Sequence, residues 1–254
     1  MSRRLLLLFS VLLYFSCSQS DSPVLRIATA ANVQYAMDSL VQVFATQTGI
    51  ETQIILNSSG KLATQIIQGA PYDVFVSANM TYPNFVRQNG KTDRPPTIYA
   101  HGTLVIWTAD KQTDISFEQL PHQEIRHIAI ANPKTAPYGK AAMEVLQGQD
   151  LMHACRDKLI FGESISQTNQ FILTRHAEVG FTAKSVVLAP TLKEVGRWQE
   201  VDQALYAPIT QGVIIIQRGQ TDKQLENAQT FYNFLLSPTA QAILGAYGYR
   251  SVNV

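Results

Sequence analysis

Short apolar runs in this chain repeatedly end in small, uncharged polar residues, and an amphipathic segment follows at once. Leu25–Thr29 runs into Ala30-Ala31-Asn32, and Glu51–Leu56 into Asn57-Ser58-Ser59-Gly60. Ile128–Ala131 runs into the stretch from Asn132 to Gly139, and Leu159–Phe161 into the stretch from Gly162 to Ser166. Each reads as a strand entering the start of a helix. After the first, Val33, Ala36, Met37, Leu40, Val41 and Phe44 fall on one helical face over Val33–Ala45, with Asn32 in the N-cap position. Lys61–Gln68 predicts a second helix, stopped by Gly69 with Pro71 beyond it. Tyr72–Ser77, Thr103–Thr108, Glu124–Ala131, Val179–Thr182 and Val213–Gln217 predict further strands, and Gly139–Gln147 a helix. Ser164-Ile165-Ser166-Gln167 has the spacing of a capping box and opens a helix to about His176. The tail predicts a helix over Asp222–Leu236 and a last one opened by Ser237-Pro238 and ending near Gly248.

Strand–helix alternation predicts an α/β fold of mainly parallel sheets flanked by helices. Such sheets bind ligands at the carboxyl ends of their strands, where all four turns lie. A helix start offers unpaired N–H groups and a partial positive charge. Several starts aimed at one point make an anion cradle without any cationic side chain. Roughly 230 residues after the leader suit two lobes rather than one domain. Crossings near Thr97–Gly102 and Ala207–Gln211 divide the chain into lobe one (24–102 and 208–254) and lobe two (103–207), with the ligand in the cleft between them.

Arg3 and Arg4 followed by the apolar stretch Leu5–Phe15 have the layout of a secretory signal peptide over residues 1–17. About 11 apolar residues are too few to span a bilayer. Cys17 directly after that stretch marks a possible lipoprotein signal, and residues 18–23 read as a polar tether. The alternative is cleavage nearby and a free periplasmic protein. The other cysteine is Cys155, so the exported chain is expected to rely on its core and not on a disulfide. A formal net charge of +1 gives no long-range field favouring nucleic acid.

Taken together, these segments resemble a known family. The resemblance is carried by Ala28-Thr29-Ala30-Ala31-Asn32-Val33, Asn57-Ser58-Ser59-Gly60-Lys61-Leu62-Ala63 and Gly69-Ala70-Pro71-Tyr72-Asp73-Val74-Phe75-Val76-Ser77-Ala78-Asn79. It continues through Asn132-Pro133, Pro137-Tyr138-Gly139, Gly162-Glu163-Ser164-Ile165-Ser166-Gln167-Thr168 and Ala177-Glu178-Val179-Gly180-Phe181. It ends with Ser237-Pro238-Thr239-Ala240-Gln241-Ala242-Ile243-Leu244 and Tyr247-Gly248-Tyr249. In this order and spacing, over about residues 24–250, the chain resembles the periplasmic molybdate-binding proteins of ABC importers, with the two-lobed type II periplasmic binding-protein fold. The resemblance implies an exported, monomeric solute-binding protein, in the periplasm or at the cell surface. It implies molybdate or tungstate as ligand, an ABC permease as partner, and no cofactor or directly coordinated metal. Carried over by position, the oxyanion donors are Asn32 with Ala31 beside it, Ser59, the Tyr138 region and the backbone N–H of Ile165. The capping box supports the last independently, since it makes Ile165 the first helical residue. Many members have a tyrosine where Ala183 stands; Tyr138 is the residue expected to compensate.

Each of these residues has a plainer reading. Asn32 can be an N-cap alone, Ser59 a solvated turn serine, Tyr138 a rim aromatic and Ile165 a core side chain. Lys61 is expected to point to solvent. Glu163, the one carboxylate in the four loops, is expected to favour the helix start. A ring poor in acceptors suits dianions without protons, whereas phosphate retains a proton and needs an acceptor. A carrier for another oxyanion such as sulfate is one alternative, and an exported hydrolase another. Against the hydrolase, Asp73 and Glu178 sit in strand contexts, the histidines show no HExxH spacing, and no G-x-S-x-G, P-loop or G-x-G-x-x-G occurs.

Overall fold

A computed structural model describes residues 23–252. The expected signal peptide, Cys17 and all of the tether but Pro23 lie outside the described residues. In chain order the elements are β1 (Leu25–Ala30), α1 (Gln34–Thr48), β2 (Thr52–Asn57), α2 (Ser59–Ile67), β3 (Val74–Ser77), α3 (Thr81–Gln88) and β4 (Thr97–Gly102). Then come β5 (Leu104–Thr108), β6 (Ile128–Ala131), α4 (Pro137–Gly148), α5 (Met152–Cys155), β7 (Leu159–Gly162), α6 (Ile165–Leu173), β8 (Val179–Ala183), α7 (Lys184–Val187) and β9 (Arg197–Glu200). The last are β10 (Ile209–Ile215), α8 (Asp222–Leu235) and α9 (Pro238–Ala246).

They form two five-stranded sheets, ordered β2-β1-β3-β10-β4 and β7-β6-β8-β5-β9, one per lobe. In each, one central strand pairs in parallel with both neighbours, β1 with β2 and β3, and β6 with β7 and β8. The strands beside the crossings, β10 and β5, pair antiparallel with both of theirs. The carboxyl ends of β1 and β6 therefore carry the helix starts, while the antiparallel strands carry the chain between the sheets.

Burial on both faces explains the unbroken apolar runs of the first sheet. Leu25, Ile27, Val74, Val76, Val213 and Ile215 pack into one core with residues of α1, α8 and α9. Their alternates Ala28, Phe75, Ile214 and Ile216 face a second core with Leu62, Ala63 and Ile66 of α2 and Val86 of α3. The core of the second lobe also takes in Ala30, Ala31 and Ala78 from the loops of the first, so the lobes meet as one packed surface.

Several elements depart from expectation for identifiable reasons. Residues 124–127 are not strand: the N–H groups of Arg126 and His127 donate to the Glu178 carboxylate rather than to a neighbouring strand. Burial pushes the Glu178 carboxyl up, but those N–H groups and the Arg126 guanidinium outweigh it and hold it below its ordinary range. Asp73 is likewise structural, accepting from the Arg26 N–H at 2.8 Å and from Arg218 at 2.7 Å. β10 begins at Ile209, well before the expected Val213, because Thr210, Gln211 and Gly212 lie in the register with β4. The capping box at Ser164 does not form: Ser164 makes no side-chain cap bond, and Gln167 Oε1 accepts from the Glu163 N–H at 2.7 Å, one residue before the N-cap. A complete box occurs instead at Thr221 and Gln224.

Candidate oxyanion site

Five loops meet at one cavity between the lobes. Its walls are Ala30 at the end of β1 with Ala31 and Asn32 after it, Ser58 and Ser59 at the start of α2, and Ala78 after β3. From the second lobe come Ala136, Pro137 and Tyr138 at the start of α4, and Ile165 at the start of α6. The five residues expected from the sequence, Ala31, Asn32, Ser59, Tyr138 and Ile165, thus line a single space. The cavity is small, with about 10 Å3 open to the centre of a water-sized sphere.

The donors around it are mostly main chain. Pro137 at the first position of α4 has no N–H, and the first helical bond is made by Lys140 to the Ala136 carbonyl. Tyr138 therefore sits at a position whose N–H points out of the helix start. In α6 the first such bond is Thr168 to Ser164, which places the Ile165 N–H likewise. Ser59 Oγ accepts the Ala78 N–H at 2.9 Å, so its own proton is available to a ligand. Ser58, which sequence reading passed over as part of a polar turn, is buried on the same wall, and its Oγ has no hydrogen-bond partner. Asn32 Oδ1 is unpartnered as well. Among the lining residues there is no aspartate or glutamate, and among the described residues no cluster of His, Cys, Asp or Glu could hold a metal ion.

Three expectations about side chains are corrected. Asn32 is not an N-cap: it lies in a 3₁₀ turn, Ala31–Val33, and its Nδ2 donates to Gln211 Oε1 at 2.9 Å and to Tyr249 Oη at 3.1 Å. Lys61 does not point free into solvent, and Glu163 does not serve the helix start. They pair with each other at 2.5 Å across the mouth of the cleft. Other bonds cross there too: the Gly60 N–H donates to the Thr135 carbonyl at 2.9 Å, Tyr82 Oη to the Lys134 carbonyl at 3.0 Å, and Ser166 Oγ to Gln34 Oε1 at 2.9 Å. The lobes are closed. Because the Lys61–Glu163 pair is exposed, it is worth at most about 1 kcal/mol. Lys61→Met should speed ligand release no more than a few-fold, and the difference should fade at high salt; stopped-flow dissociation checks this.

Tyr138 Oη accepts from Gln211 Nε2 at 3.3 Å, which leaves its own proton available. Ala183, where a tyrosine was missing, is buried at the end of β8. Tyr249, from the far end of the chain, reaches this region: its Oη donates toward the Asn32 carbonyl at 3.0 Å and Ser185 Oγ at 3.0 Å. Burial pushes the Tyr99, Tyr138 and Tyr249 hydroxyls well above the ordinary phenol range, with neighbouring tyrosines adding to the effect at Tyr99 and Tyr138. All three stay protonated at neutral pH.

A two-lobed α/β fold closed over a carboxylate-free ring of helix starts has the form of a binding protein for a small solute. The chain belongs to the bacterial extracellular solute-binding protein family, whose model matches residues 25–250. It is 37% identical over 223 residues to the molybdate-binding protein ModA of Rhodobacter capsulatus, covering 87% of this chain and 86% of that one. It is 35% identical over 236 residues to ModA of Azotobacter vinelandii, covering 92% of each. The solved periplasmic molybdate-binding protein of A. vinelandii superposes with a TM-score of 0.82 at 32% identity, over 89% of this chain and 98% of that one.

Proposed function

We propose that this protein captures molybdate, and tungstate with it, outside the cytoplasm and delivers it to the permease of an ABC importer. The observation that carries the reading is the meeting of helix starts from both lobes, with two serine hydroxyls from the first, around a small space with no carboxylate in its wall. Ala31, Asn32, Ser59, Tyr138 and Ile165 hold the oxyanion, and Ser58 joins them. The Tyr138 and Ile165 contributions are backbone N–H groups. The protein carries no cofactor, coordinates no metal directly and performs no catalysis. It acts as a monomer whose lobes, 24–102 with 208–254 and 103–207, close on the dehydrated anion through the two crossings. Residues 1–17 direct export, and Cys17 is the point of lipid attachment; mass spectrometry of membrane-extracted protein tests that part.

Calorimetric titration tests the function. Molybdate and tungstate should bind, sulfate should bind at least about tenfold more weakly, and hydrogen phosphate should give no heat. Equal binding of sulfate and molybdate would overturn the selectivity. Ser59→Ala removes a hydroxyl that donates to a charged ligand and should cost about 1–3 kcal/mol of binding. An unchanged affinity would remove Ser59 from the site.

A further inference from the structure

Behind the cavity wall lies a buried polar cluster centred on Gln211. This residue is fully buried on β10, at the irregularity where β10 leaves regular register with β4, beside the crossing between the lobes. Its Oε1 accepts from Asn32 Nδ2 at 2.9 Å and from Tyr99 Oη at 2.7 Å, and its Nε2 donates to Tyr138 Oη. Gly102 on the neighbouring strand makes the room: a Cβ there would sit 2.0 Å from Tyr138 Oη and 2.6 Å from Gln211 Nε2. Gln211 does not line the cavity; it touches two residues that do.

Hydrogen-bond bookkeeping exposes a conflict at Asn32. Both of its amide protons are spent, one on Gln211 and one on Tyr249. The atom left without a partner is Oδ1, an acceptor, which costs free energy when buried and repels an anion. Turning the Asn32 amide over would present two N–H donors instead, but Oδ1 would then oppose Gln211 Oε1. The conflict disappears if Gln211 turns as well. Its Nε2 then donates to Asn32 Oδ1 and Tyr99, its Oε1 accepts from the Tyr138 hydroxyl, and Tyr249 donates to Asn32 Oδ1. In the turned arrangement each amide atom has a partner once an anion accepts from Asn32 Nδ2, whereas in the present one Asn32 Oδ1 has none. The Asn32 main chain is held throughout by Ser185 Oγ at 2.6 Å on its carbonyl.

We infer that Gln211 is a positioning residue: the Asn32 and Gln211 amides turn together, so that Asn32 presents an acceptor to the empty cleft and two donors to a bound oxyanion. The inference rests on the oxyanion reading above and extends it to specificity. In the donor arrangement Asn32 offers no acceptor to a proton-bearing anion; in the other it offers one.

The test combines titration of wild type, Gln211→Met and Gln211→Glu with side-chain amide spectra of 15N-labelled wild-type protein. Glutamate accepts but cannot donate, so it holds Asn32 in the acceptor arrangement. Q211E should lose molybdate affinity by more than about a hundredfold, whereas Q211M, which favours neither arrangement, should lose about three- to tenfold. In wild type, molybdate should shift the Asn32 and Gln211 NH2 signals together, although Gln211 does not touch the ligand. A Gln211 signal that stays in place while Asn32 moves, or equal losses in the two variants, would overturn the inference and leave the oxyanion reading intact. No molybdate binding by wild type would overturn both. If either variant fails to fold, the wild-type spectra alone decide.

Discussion

Gly60→Ala is expected to weaken molybdate binding roughly ten- to a hundredfold while leaving the ligand-free protein as stable as before or slightly more so. Gly60 is in the first turn of α2, and the lobes touch at its backbone. A Cβ built there lies 2.8 Å from Tyr82 Oη, 2.9 Å from Tyr82 Cζ and 3.0 Å from Thr135 Cα. The tyrosine ring can yield; the Thr135 main chain, whose carbonyl accepts the Gly60 N–H, cannot without moving the second lobe. Overpacking of this kind costs about 1–3 kcal/mol, here charged to the closed state alone. Opening removes the Thr135 contact and frees the Tyr82 hydroxyl from Lys134, so the ring can turn aside, and alanine suits a helix better than glycine by up to about 1 kcal/mol. Affinity and stability therefore move in opposite directions, an outcome that simple damage to the fold cannot produce. Calorimetry and thermal melts of the variant check both halves.

Molybdate itself should stabilise the protein strongly. At about 100 times its dissociation constant, a ligand that binds only the folded state adds roughly 2.7 kcal/mol. For a chain of this size that raises Tm by about 5–10 °C. Sulfate at the same concentration should do much less. The reasoning is electrostatic and steric together. Main-chain dipoles fixed at helix starts stabilise a dianion with little rearrangement, and the cavity that they line is small. Scanning calorimetry with each anion at matched ionic strength measures the difference. Equal shifts would mean that the cradle senses charge and not size.

Much of this was legible in the sequence because the signals were local. Strands buried on both faces read as apolar runs, and the small polar residues after them marked the turns that now face the cavity. What stayed hidden was long range. β9 (Arg197–Glu200) is a largely exposed strand whose one apolar residue, Trp198, is too little to give a periodic signal. α3 (Thr81–Gln88) starts without a side-chain cap. Lys61 and Glu163 look like separate solvated charges until closure brings them together. Gln211 and Tyr249 lie 179 and 217 positions from Asn32, and only the folded chain places them behind it. Ser58 could have been found: it stands beside Ser59 in the same turn, and only the fold shows that both face inward. Asn32 was placed in the right wall for the wrong local reason, since its side chain serves the buried cluster and not the helix end.

A crystal grown with molybdate and measured at the molybdenum absorption edge locates the metal directly. A single strong anomalous peak should fall between Asn32, Ser58, Ser59, Tyr138 and Ile165, with oxygens in hydrogen-bond reach of the Tyr138 and Ile165 N–H groups. A peak elsewhere, or lobes that fail to meet around it, would contradict the proposal that helix starts from both lobes hold one oxyanion.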